Sequence, residues 1–406
     1  MDDIDFTEPV WGKDLFEAIR GKPHSIMAAN IRTKASLQGI MEAAQETGSP
    51  VLFEIAMSEL GYTGFTPQSF VETIKAEAKR LGFDQPYAIH GDHITIKENT
   101  PEAVQKAEDL LNAQIDAGFT SFAIDASHCF DVNAPTKREA LRDNIEITTR
   151  LARIIQERAP RASIEVEVGE IGHKDKATGN QEITTVEEAV AFVSGLAENG
   201  INPDLLAVHN GTEHGNAFDA QGNPVPQLGI DLQRTREVTD AIAEHKLVGI
   251  TQHGTTGTAL EHLSKFVDAG IKKVNVATHF QNIVMDTVPF RPEIDEWCLT
   301  SPDIAKHRAA EEAKLDPGMD PAKREQVLIG KLIKHANLGF YDRLQPEALG
   351  PELMHAITEQ TRADSIDFFE RFQSAGASVL VSDHLIHNTG MDDLTGGLKP
   401  KKRILE

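Results

Sequence analysis

Eight short apolar runs, each followed by a segment of helical periodicity, constrain the fold of this chain more than any other feature of its sequence. The runs are rich in β-branched residues and cover 25–31, 50–56, 86–92, 121–127, 163–169, 204–210, 247–253 and 272–278. Strands that alternate with helices pair in parallel, because each helix carries the chain back to the same end of the sheet. Eight such units predict an α/β protein built on a closed (β/α)8 TIM barrel. A doubly wound open sheet is the alternative, but no G-x-G-x-x-G follows the first run.

The pattern changes beyond the eighth run. Residues 300–375 keep a helical periodicity and contain no strand-like run. We therefore expect a barrel in residues 1–290 and a C-terminal helical extension in residues 291–380 that packs on it. The last segment, 381–406, is polar, Gly-rich and basic at its end, which is typical of a loose tail.

The charge balance restricts the class of ligand. With 40 Lys and Arg against 63 Asp and Glu, the formal net charge is −23, which repels nucleic acid and anionic membranes alike and favours a small-molecule ligand. Cys129 and Cys298 are too few for a disulfide framework or a thiolate metal site, and the N-terminal segment lacks the features of a signal peptide. No stretch approaches the ~18 apolar residues of a membrane span. We expect a cytoplasmic protein without a nucleic-acid or membrane partner.

Histidines and acidic residues collect at the C-terminal ends of the predicted strands, where barrel enzymes place their chemistry. They are His90, Asp92, His93, Asp125, His128, Glu165, Glu167, His209, His214 and His253. A random scatter would place comparable numbers of histidines in the helices. The asymmetry therefore predicts a shared site.

Three histidines and a carboxylate from different strands match the ligands of a catalytic zinc ion, with other divalent metals as alternatives. We predict His93, His214 and His253 as direct ligands and Glu167 as a fourth, exchangeable ligand. A single strand-end histidine is more often a hydrogen-bonded structural residue, so the prediction depends on the combination of all three.

Two glutamates on the fifth strand face the same side. Glu165 and Glu167 alternate with apolar residues, so both point either into the barrel or out of it. Inside the barrel, neighbouring carboxylates require a cation or a proton between them. A metal ion satisfies this requirement, and an outward-facing strand is the alternative.

Glycine and hydroxyl-bearing residues follow the seventh and eighth strands. Gly254 and Thr256 lie in QHGTTGT, and Asn275 and Thr278 lie in VNVAT. Barrels commonly bind phosphate here with backbone N–H groups and hydroxyls, although Gly-Thr loops are also ordinary turns. The position of these residues after the seventh and eighth strands favours the phosphate-binding interpretation.

Six motifs occur in order between residues 25 and 285: HGDH, FAIDAS followed by NIEIT, EVEVGEIG, NGTEHG, QHGTTG and VNVAT. Together they resemble the class II, metal-dependent aldolases of the fructose- and tagatose-bisphosphate type. Their joint spacing is far more specific than any single motif. The resemblance implies a TIM barrel, a bound zinc ion and an active site for phosphorylated sugars.

The resemblance assigns roles residue by residue. The zinc ligands fall on His93, His214 and His253, with Glu167 at the acidic zinc-associated position, and the acid/base aspartate falls on Asp92. The substrate- and phosphate-contacting positions are Asn30, Asn275, Gly215, Gly254, Thr256 and Thr278. Asp125 matches an aspartate of the strand-four motif, and with His90 and His209 it is expected to support the ligands or to lie near a monovalent cation, a further candidate cofactor.

The chain departs from the family pattern at several positions. The lysine that usually follows the strand-six HG, where it supports the phosphate, is absent from HGNAFD. The catalytic glutamate of the loop after strand five has its nearest match in Asp175. Ala56 replaces the serine at the end of strand two, and Arg362 is the nearest match to a helical arginine that some members use for the distal phosphate.

The activity implied by the resemblance is reversible retro-aldol cleavage of a fructose-1,6-bisphosphate-like ketose to dihydroxyacetone phosphate and an aldehyde. Zinc acts as a Lewis acid on the carbonyl group. Asp92 takes the proton of the C4 hydroxyl, and Asp175 exchanges the C3 proton. A Schiff-base lysine is not needed, so we expect Lys272 and Lys273 to be solvated or to steer phosphate.

Two alternatives stay open. A metal-dependent epimerase or isomerase of a sugar phosphate or sugar acid fits the same barrel. So does a non-catalytic subunit like that of tagatose-bisphosphate aldolase, although that subunit type lacks the zinc histidines of strands six and seven. By resemblance, the chain is expected to form a homodimer or homotetramer and to bind a sugar phosphate.

Overall fold

The computed structural model describes residues 4–169, 183–212, 217–218, 224–225, 229–316 and 318–389. Eight parallel strands close into a barrel within these ranges. They are β1 (Ile26–Asn30), β2 (Val51–Ala56), β3 (Tyr87–Thr95), β4 (Ser121–Asp125), β5 (Ser163–Val168), β6 (Leu205–Val208), β7 (Gly249–Gln252) and β8 (Ile271–Val276). Neighbours in sequence are neighbours in the barrel, and β8 closes onto β1. The predicted (β/α)8 barrel is confirmed, and each predicted run overlaps one strand.

One helix precedes the first strand, and the others lie between the strands or after the barrel. They are α1 (Gly12–Ala18), α2 (Leu37–Thr47), α3 (Met57–Thr63), α4 (Pro67–Leu81), α5 (Pro101–Ala117), α6 (Lys137–Ala140), α7 (Arg142–Arg158), α8 (Val186–Glu198), α9 (Leu232–Ala241), α10 (Leu260–Leu263), α11 (Thr278–Thr287), α12 (Arg291–Thr300), α13 (Ala305–Glu312), α14 (Pro321–Leu332), α15 (Asn337–Phe340), α16 (Pro346–Arg371) and α17 (Ser378–Thr389). A short antiparallel pair, Ala217–Phe218 and Pro224–Val225, stands apart from the barrel sheet. No helix in the described ranges has the length and apolar character that a membrane crossing requires.

Local capping fixes where the barrel helices begin and end, as α5 illustrates. Thr100 accepts a hydrogen bond from the backbone N–H of Ala103 at 3.2 Å, and Pro101 occupies the first helical position. At the other end, Gly118 adopts a φ of 98°, a left-handed conformation that costs glycine little. Because β4 begins three residues later, these caps also set where that strand enters the sheet.

The apolar core lies mainly between the sheet and its surrounding helices. The barrel interior is different, because charged side chains meet there. Lys273 on β8 contacts Glu54 on β2 and Glu165 on β5, strands that are not its neighbours, so the contacts cross the interior of the barrel.

Helices α1 and α17 cover the end of the barrel at which the strands begin. Val381 and Leu385 of α17 are buried in one apolar cluster with Leu15 and Phe16 of α1. The loose tail expected from residue 381 onward is therefore corrected for residues 381–389, which are helical. Apolar residues four apart give this segment one buried helical face, which its polar composition obscured. Residues 390–406 lie outside the described residues.

The helices after the barrel form a second apolar cluster with α11. Helix α16 packs along α2, and the contact is close enough that a Cβ on Gly39 would lie 2.5 Å from the backbone oxygen of Thr358. Asn337 donates a hydrogen bond to the backbone oxygen of Arg32 at 3.0 Å, just after β1. The C-terminal helices thus reach the rim at which the strands end.

Candidate metal centre and active site

The end of β3 carries the HGDH motif in an irregular backbone. Its pairing with β4 shifts between Gly91 and Ile94, and His93 has a φ of 42°. A left-handed conformation in a residue other than glycine costs about 1–3 kcal/mol and persists only where its surroundings hold it. Gly91 packs against Gln114, whose Oε1 would lie 2.5 Å from an added Cβ. The irregularity directs the His93 ring toward β7.

His93 and His253 face each other through ring nitrogens. Nε2 of His93 lies 3.1 Å from Nδ1 of His253, and the ring centroids are 4.3 Å apart. Two imidazole nitrogens on one tetrahedral zinc ion are separated by about 3.3 Å, given zinc–nitrogen bonds of 2.0–2.1 Å. The spacing of these two predicted ligands therefore fits a shared ion.

Two carboxylates lie on the other side of the His93 ring. Oε2 of Glu167 is 3.2 Å from Nδ1 of His93, and Oδ2 of Asp125 is 3.5 Å from the same nitrogen. The described residues offer an ion three overlapping sets of ligand atoms, Asp92–His93–His253, His93–Asp125–Glu167 and Glu54–His90–Asp92, and the first two share His93. Glu167 contacts the nitrogen opposite to the one that faces His253. Its assignment as a fourth metal ligand stays a prediction.

These acids determine where protons lie before a metal binds. Burial disfavours a charged His93, but the negative charges of Asp92 and Glu167 outweigh it and raise the pKa of His93 well above its ordinary value. Burial, with repulsion from Asp125, raises the pKa of Glu167 to about 8. At neutral pH the metal-free site therefore holds protons that a metal must displace.

Asp92 is held by two amides. Asn275 donates from Nδ2 to Oδ1 of Asp92 at 3.1 Å, and Asn30 donates from Nδ2 to Oδ2 at 3.2 Å. Burial favours the neutral acid, but the positive charges of His93 and Lys273 outweigh it and lower the pKa of Asp92 below its ordinary value. An ionised, immobilised carboxylate beside the histidine pair has the position and charge of a general base.

Beneath the histidine pair, Lys273 neutralises two carboxylates. Its Nζ lies 3.0 Å from Oε2 of Glu54 and 3.0 Å from Oε2 of Glu165. The expectation that Lys273 is solvated is wrong, because its side chain is fully buried. We expected a metal ion to neutralise Glu165, but the cation beside Glu165 is Lys273. Oε1 of Glu165 lies 3.4 Å from Nε2 of His253, so the network also orients that predicted ligand.

Lys272, the residue before Lys273, points to the opposite face of β8. Lys272 is also largely buried, and its Nζ donates to the backbone oxygens of Lys22 and His24. It neither steers phosphate at the rim nor lies free in solvent. The two lysines illustrate the alternation of side chains along a strand.

The two further histidines for which we expected a supporting role, His90 and His209, are both fully buried, and that role stays a prediction. His90 is fully buried beside Ser121, with Nδ1 of His90 2.6 Å from the hydroxyl oxygen of Ser121. Burial and the charge of Lys273 lower the pKa of His90 to about 3, so the ring is neutral at pH 7. The backbone N–H of His209 donates to the Thr184 hydroxyl at 3.0 Å, which fixes the end of β6.

The predicted phosphate-binding hydroxyls of Thr256 and Thr278 each accept a hydrogen bond from a neighbouring segment. Thr256 accepts a hydrogen bond from the backbone N–H of His279 at 3.2 Å. Thr278 accepts one from Nη1 of Arg32 at 3.2 Å. Sequence reasoning missed Arg32, although its signal was present in a cation two positions after Asn30, at the end of a strand.

Three predicted site residues, His214, Gly215 and Asp175, lie outside the described residues. Arg362, the nearest match for a distal phosphate ligand, pairs with Glu46 at 2.5 Å. Glu46 is in the last turn of α2, close to the beginning of β2 and thus at the end of the barrel opposite the histidine pair. Arg362 therefore does not serve this site.

The sequence and fold have known relatives. Fructose-bisphosphate aldolase from Geobacillus stearothermophilus is 27% identical over 332 residues, which cover 80% of this chain and 96% of the relative. The enzyme of the same name from Streptococcus pneumoniae is 28% identical over 270 residues, which cover 65% and 77%.

Solved structures share the fold at low sequence identity. The fructose-bisphosphate aldolase of Campylobacter jejuni gives a TM-score of 0.57 at 17% identity and covers 91% of this chain and 97% of its own. The YdjI aldolase of Escherichia coli K12 gives 0.55 at 17% identity, with coverage of 90% and 98%.

The order of the motifs, the barrel and the convergence of the strand-three and strand-seven histidines agree with one family. The family described as "Fructose-bisphosphate aldolase class-II" matches residues 10–333, which include all eight strands. This chain belongs to the class-II fructose-bisphosphate aldolase family.

Proposed function

We propose that the protein is a zinc-dependent aldolase that reversibly cleaves a fructose-1,6-bisphosphate-like ketose to dihydroxyacetone phosphate and an aldehyde. The observation that carries the proposal is the constellation at the barrel rim. Nitrogens of His93 and His253 lie 3.1 Å apart, beside an Asp92 carboxylate held by two asparagine amides. The relatives named fructose-bisphosphate aldolase support the reaction class.

Each part of the constellation has a role in the cleavage. His93 and His253, with His214 as the predicted third ligand, would hold the zinc ion. When bound, the metal supplies a Lewis acid for the ketose carbonyl. Asp92 accepts the proton of the C4 hydroxyl as the carbon–carbon bond breaks and returns it in the condensation direction. Asp175 is proposed to exchange the C3 proton.

The remaining parts of the proposal concern the substrate and the cellular setting. Gly254, Thr256, Thr278 and Gly215 are proposed to bind phosphate. Asn30 and Asn275 are proposed to contact the substrate as well as Asp92. We further propose a cytoplasmic homodimer or homotetramer that acts on a sugar phosphate, with a monovalent cation as an additional cofactor.

A coupled assay tests the proposal. Release of dihydroxyacetone phosphate is measured from a panel of ketose mono- and bisphosphates, before and after treatment with a chelator and after zinc is restored. We expect cleavage of at least one ketose bisphosphate, its loss with chelator and its return with zinc. Cleavage that survives complete metal removal contradicts the metal mechanism.

The same assay separates the alternatives. A zinc-loaded protein that converts a ketose phosphate without releasing a triose would instead be an epimerase or isomerase. A protein that binds no metal and converts no sugar would fit the non-catalytic subunit. Product analysis by mass spectrometry and metal analysis of the same sample distinguish these outcomes.

A further inference from the structure

Glu59 is a buried carboxylate beside the candidate site, and the proposed reaction leaves it without a role. It lies in the first turn of α3, just after β2, and is 2% exposed. Its Oε2 accepts hydrogen bonds from Nδ2 of Asn30 at 3.1 Å and from the backbone N–H of Ala56 at 2.9 Å. Its Oε1 accepts one from Nε of Arg32 at 2.6 Å. A buried carboxylate needs such donors, and one of these donors belongs to a predicted site residue.

The side-chain amide of Asn30 lies between two carboxylates. Its Nδ2 donates to Oε2 of Glu59 at 3.1 Å and to Oδ2 of Asp92 at 3.2 Å. An amide nitrogen carries two hydrogens, so both are used in these bonds. Turning the amide over would bring its oxygen, which has no hydrogen to donate, against two carboxylate oxygens. Glu59 therefore determines which end of the Asn30 amide faces Asp92.

Arg32 holds Glu59 in place and links it to the C-terminal extension. The Arg32 side chain is 12% exposed, and its Nη1 donates to the Thr278 hydroxyl at 3.2 Å and to Oε1 of Gln281 at 3.1 Å. The backbone oxygen of Arg32 accepts the hydrogen bond from Asn337. A charge-assisted hydrogen bond is stronger than a neutral one, so the arginine fixes the Glu59 carboxylate firmly.

Glu59 also has a local structural role. Its bond to the backbone N–H of Ala56 occupies a donor at the beginning of α3, as a glutamate at the third helical position commonly does. Glu188 has the same role at the beginning of α8, where its Oε2 accepts from the backbone N–H of Thr185 at 2.8 Å and a lysine pairs with it at 2.8 Å. The contact with Asn30 distinguishes Glu59 from Glu188.

We propose that Glu59 is a positioning residue for the cleavage reaction. It fixes the amide of Asn30, and this amide holds the Asp92 carboxylate in the orientation that accepts the hydroxyl proton. Glu59 thus acts through Asn30 rather than on the substrate. A catalytic group that is displaced by about 1 Å can lose about a hundredfold in rate, so the reaction gains from an amide that cannot turn. This inference rests on the proposed function, since it assumes that Asp92 is the base.

Steady-state kinetics of the zinc-loaded, full-length protein test the proposal. Glu59→Gln keeps the shape of the side chain but turns an N–H group toward one of the donors that now bond to Glu59. Asn30→Ala removes the group through which Glu59 acts, and the double variant completes a mutant cycle. Glu188→Gln is the matched control, because it removes a glutamate with the same local structural role. Thermal unfolding and zinc content are measured for every variant.

The expected result is a loss in kcat that depends on Asn30. We expect Glu59→Gln to lower kcat about 10–100-fold, while KM changes less than about threefold. Once Asn30→Ala is present, adding Glu59→Gln should lower kcat by less than about a further twofold, because the two residues act in series. Glu188→Gln should keep kcat within about twofold of the wild type.

Nuclear magnetic resonance reports on the Asn30 amide without turnover. In protein labelled isotopically at the asparagine side chains, the Nδ2 protons of Asn30 are the signals that Asn30→Ala lacks. Glu59→Gln should shift at least one of them and speed its exchange with water, because a hydrogen bond to a carboxylate is lost. In Glu188→Gln, both signals should keep their wild-type positions.

Three results overturn the inference: a wild-type kcat in Glu59→Gln, fold losses that multiply in the double variant, or an equal loss of kcat in Glu188→Gln. Failure of the proposed function looks different, because the wild type then cleaves no ketose phosphate. In that case the amide signals decide. A shift in Glu59→Gln supports the positioning of Asn30 by Glu59, and unchanged signals overturn it.

Discussion

Asp92 owes its charge and its orientation to groups from two other strands and to its neighbour on its own strand. Amides from β1 and β8 hold its two oxygens, and the cations His93 and Lys273 keep it ionised despite burial. Sequence reasoning selected Asp92 and both asparagines from their motifs. It did not indicate that both amides would bond to the same carboxylate, because that depends on how three strands converge.

Replacing Asp92 with asparagine isolates its proton-transfer role. Asp92→Asn keeps the shape and loses the base, so we expect kcat to fall about 10²–10⁴-fold, the usual contribution of a general base. Zinc content should stay within twofold of the wild type, as measured by atomic emission on the purified protein. Asp84→Asn, at an exposed position, is the control. Full activity in Asp92→Asn would show that another group moves the proton.

Zinc binding should depend on pH with a defined sign. The pKa of His93 is raised well above its ordinary value and that of Glu167 to about 8, so both retain protons at neutral pH in the metal-free site. A metal ligand must be deprotonated, so zinc affinity rises from pH 6 to pH 8 and binding releases protons. Calorimetry in buffers of different ionisation enthalpy measures how many protons are released on zinc binding. Affinity that falls with pH, or binding without proton release, would contradict this account.

At the scale of the elements, three strands are joined by charge inside the barrel. Lys273 of β8 bridges Glu54 of β2 and Glu165 of β5, where barrels usually pack aliphatic side chains. Glu54 stands in the apolar run PVLFEIA, so a buried charge could have been suspected from the sequence. Its partner, Lys273, could not have been identified from the sequence, because Lys273 lies more than two hundred positions away along the chain.

Removing the bridging charge should destabilise the barrel. Lys273→Met leaves two carboxylates buried without their cation, and we expect a loss of about 3–5 kcal/mol in the free energy of unfolding. Adding Glu54→Gln to that variant should recover part of the loss, because one uncompensated charge is removed. Denaturant titration followed by circular dichroism measures both.

The control for this prediction is Lys272→Met, one residue earlier and on the opposite face of β8. It removes a lysine that hydrogen-bonds backbone oxygens rather than carboxylates, so we expect a loss of only about 1 kcal/mol. Equal losses in the two single variants would mean that the interior ion network contributes nothing specific.

For the molecule as a whole, the two ends of the barrel have separate tasks. The ends of the strands carry the candidate site, whereas the beginnings are covered by α1 and α17 around an apolar cluster. This division follows from parallel strands, which bring all their C-terminal ends to one rim. A change at the covered end should therefore affect stability and leave the chemistry alone.

Leu385→Ala tests this separation. The side chain is 2% exposed, so we expect its truncation to lower the free energy of unfolding by about 2–5 kcal/mol. Below the unfolding temperature, kcat and KM should match the wild type. Val379→Ala, at a position 62% exposed in the same helix, should change neither quantity appreciably. A selective loss of activity in Leu385→Ala would mean that the two ends are coupled.

The sequence by itself determined the alternation of eight strands with helices and the rim on which His93, His253 and Asp92 meet. It could do so because strand and helix periodicities are local, and because parallel strands place every C-terminal end together. Only the tertiary structure decided that Lys273 lies inside the barrel between two glutamates, that Asn337 of the extension bonds to the backbone of Arg32, and that residues 381–389 form a covering helix. Each of these depends on distant segments meeting in space, and on burial, which changes the energy of a charge in a way that no local pattern records.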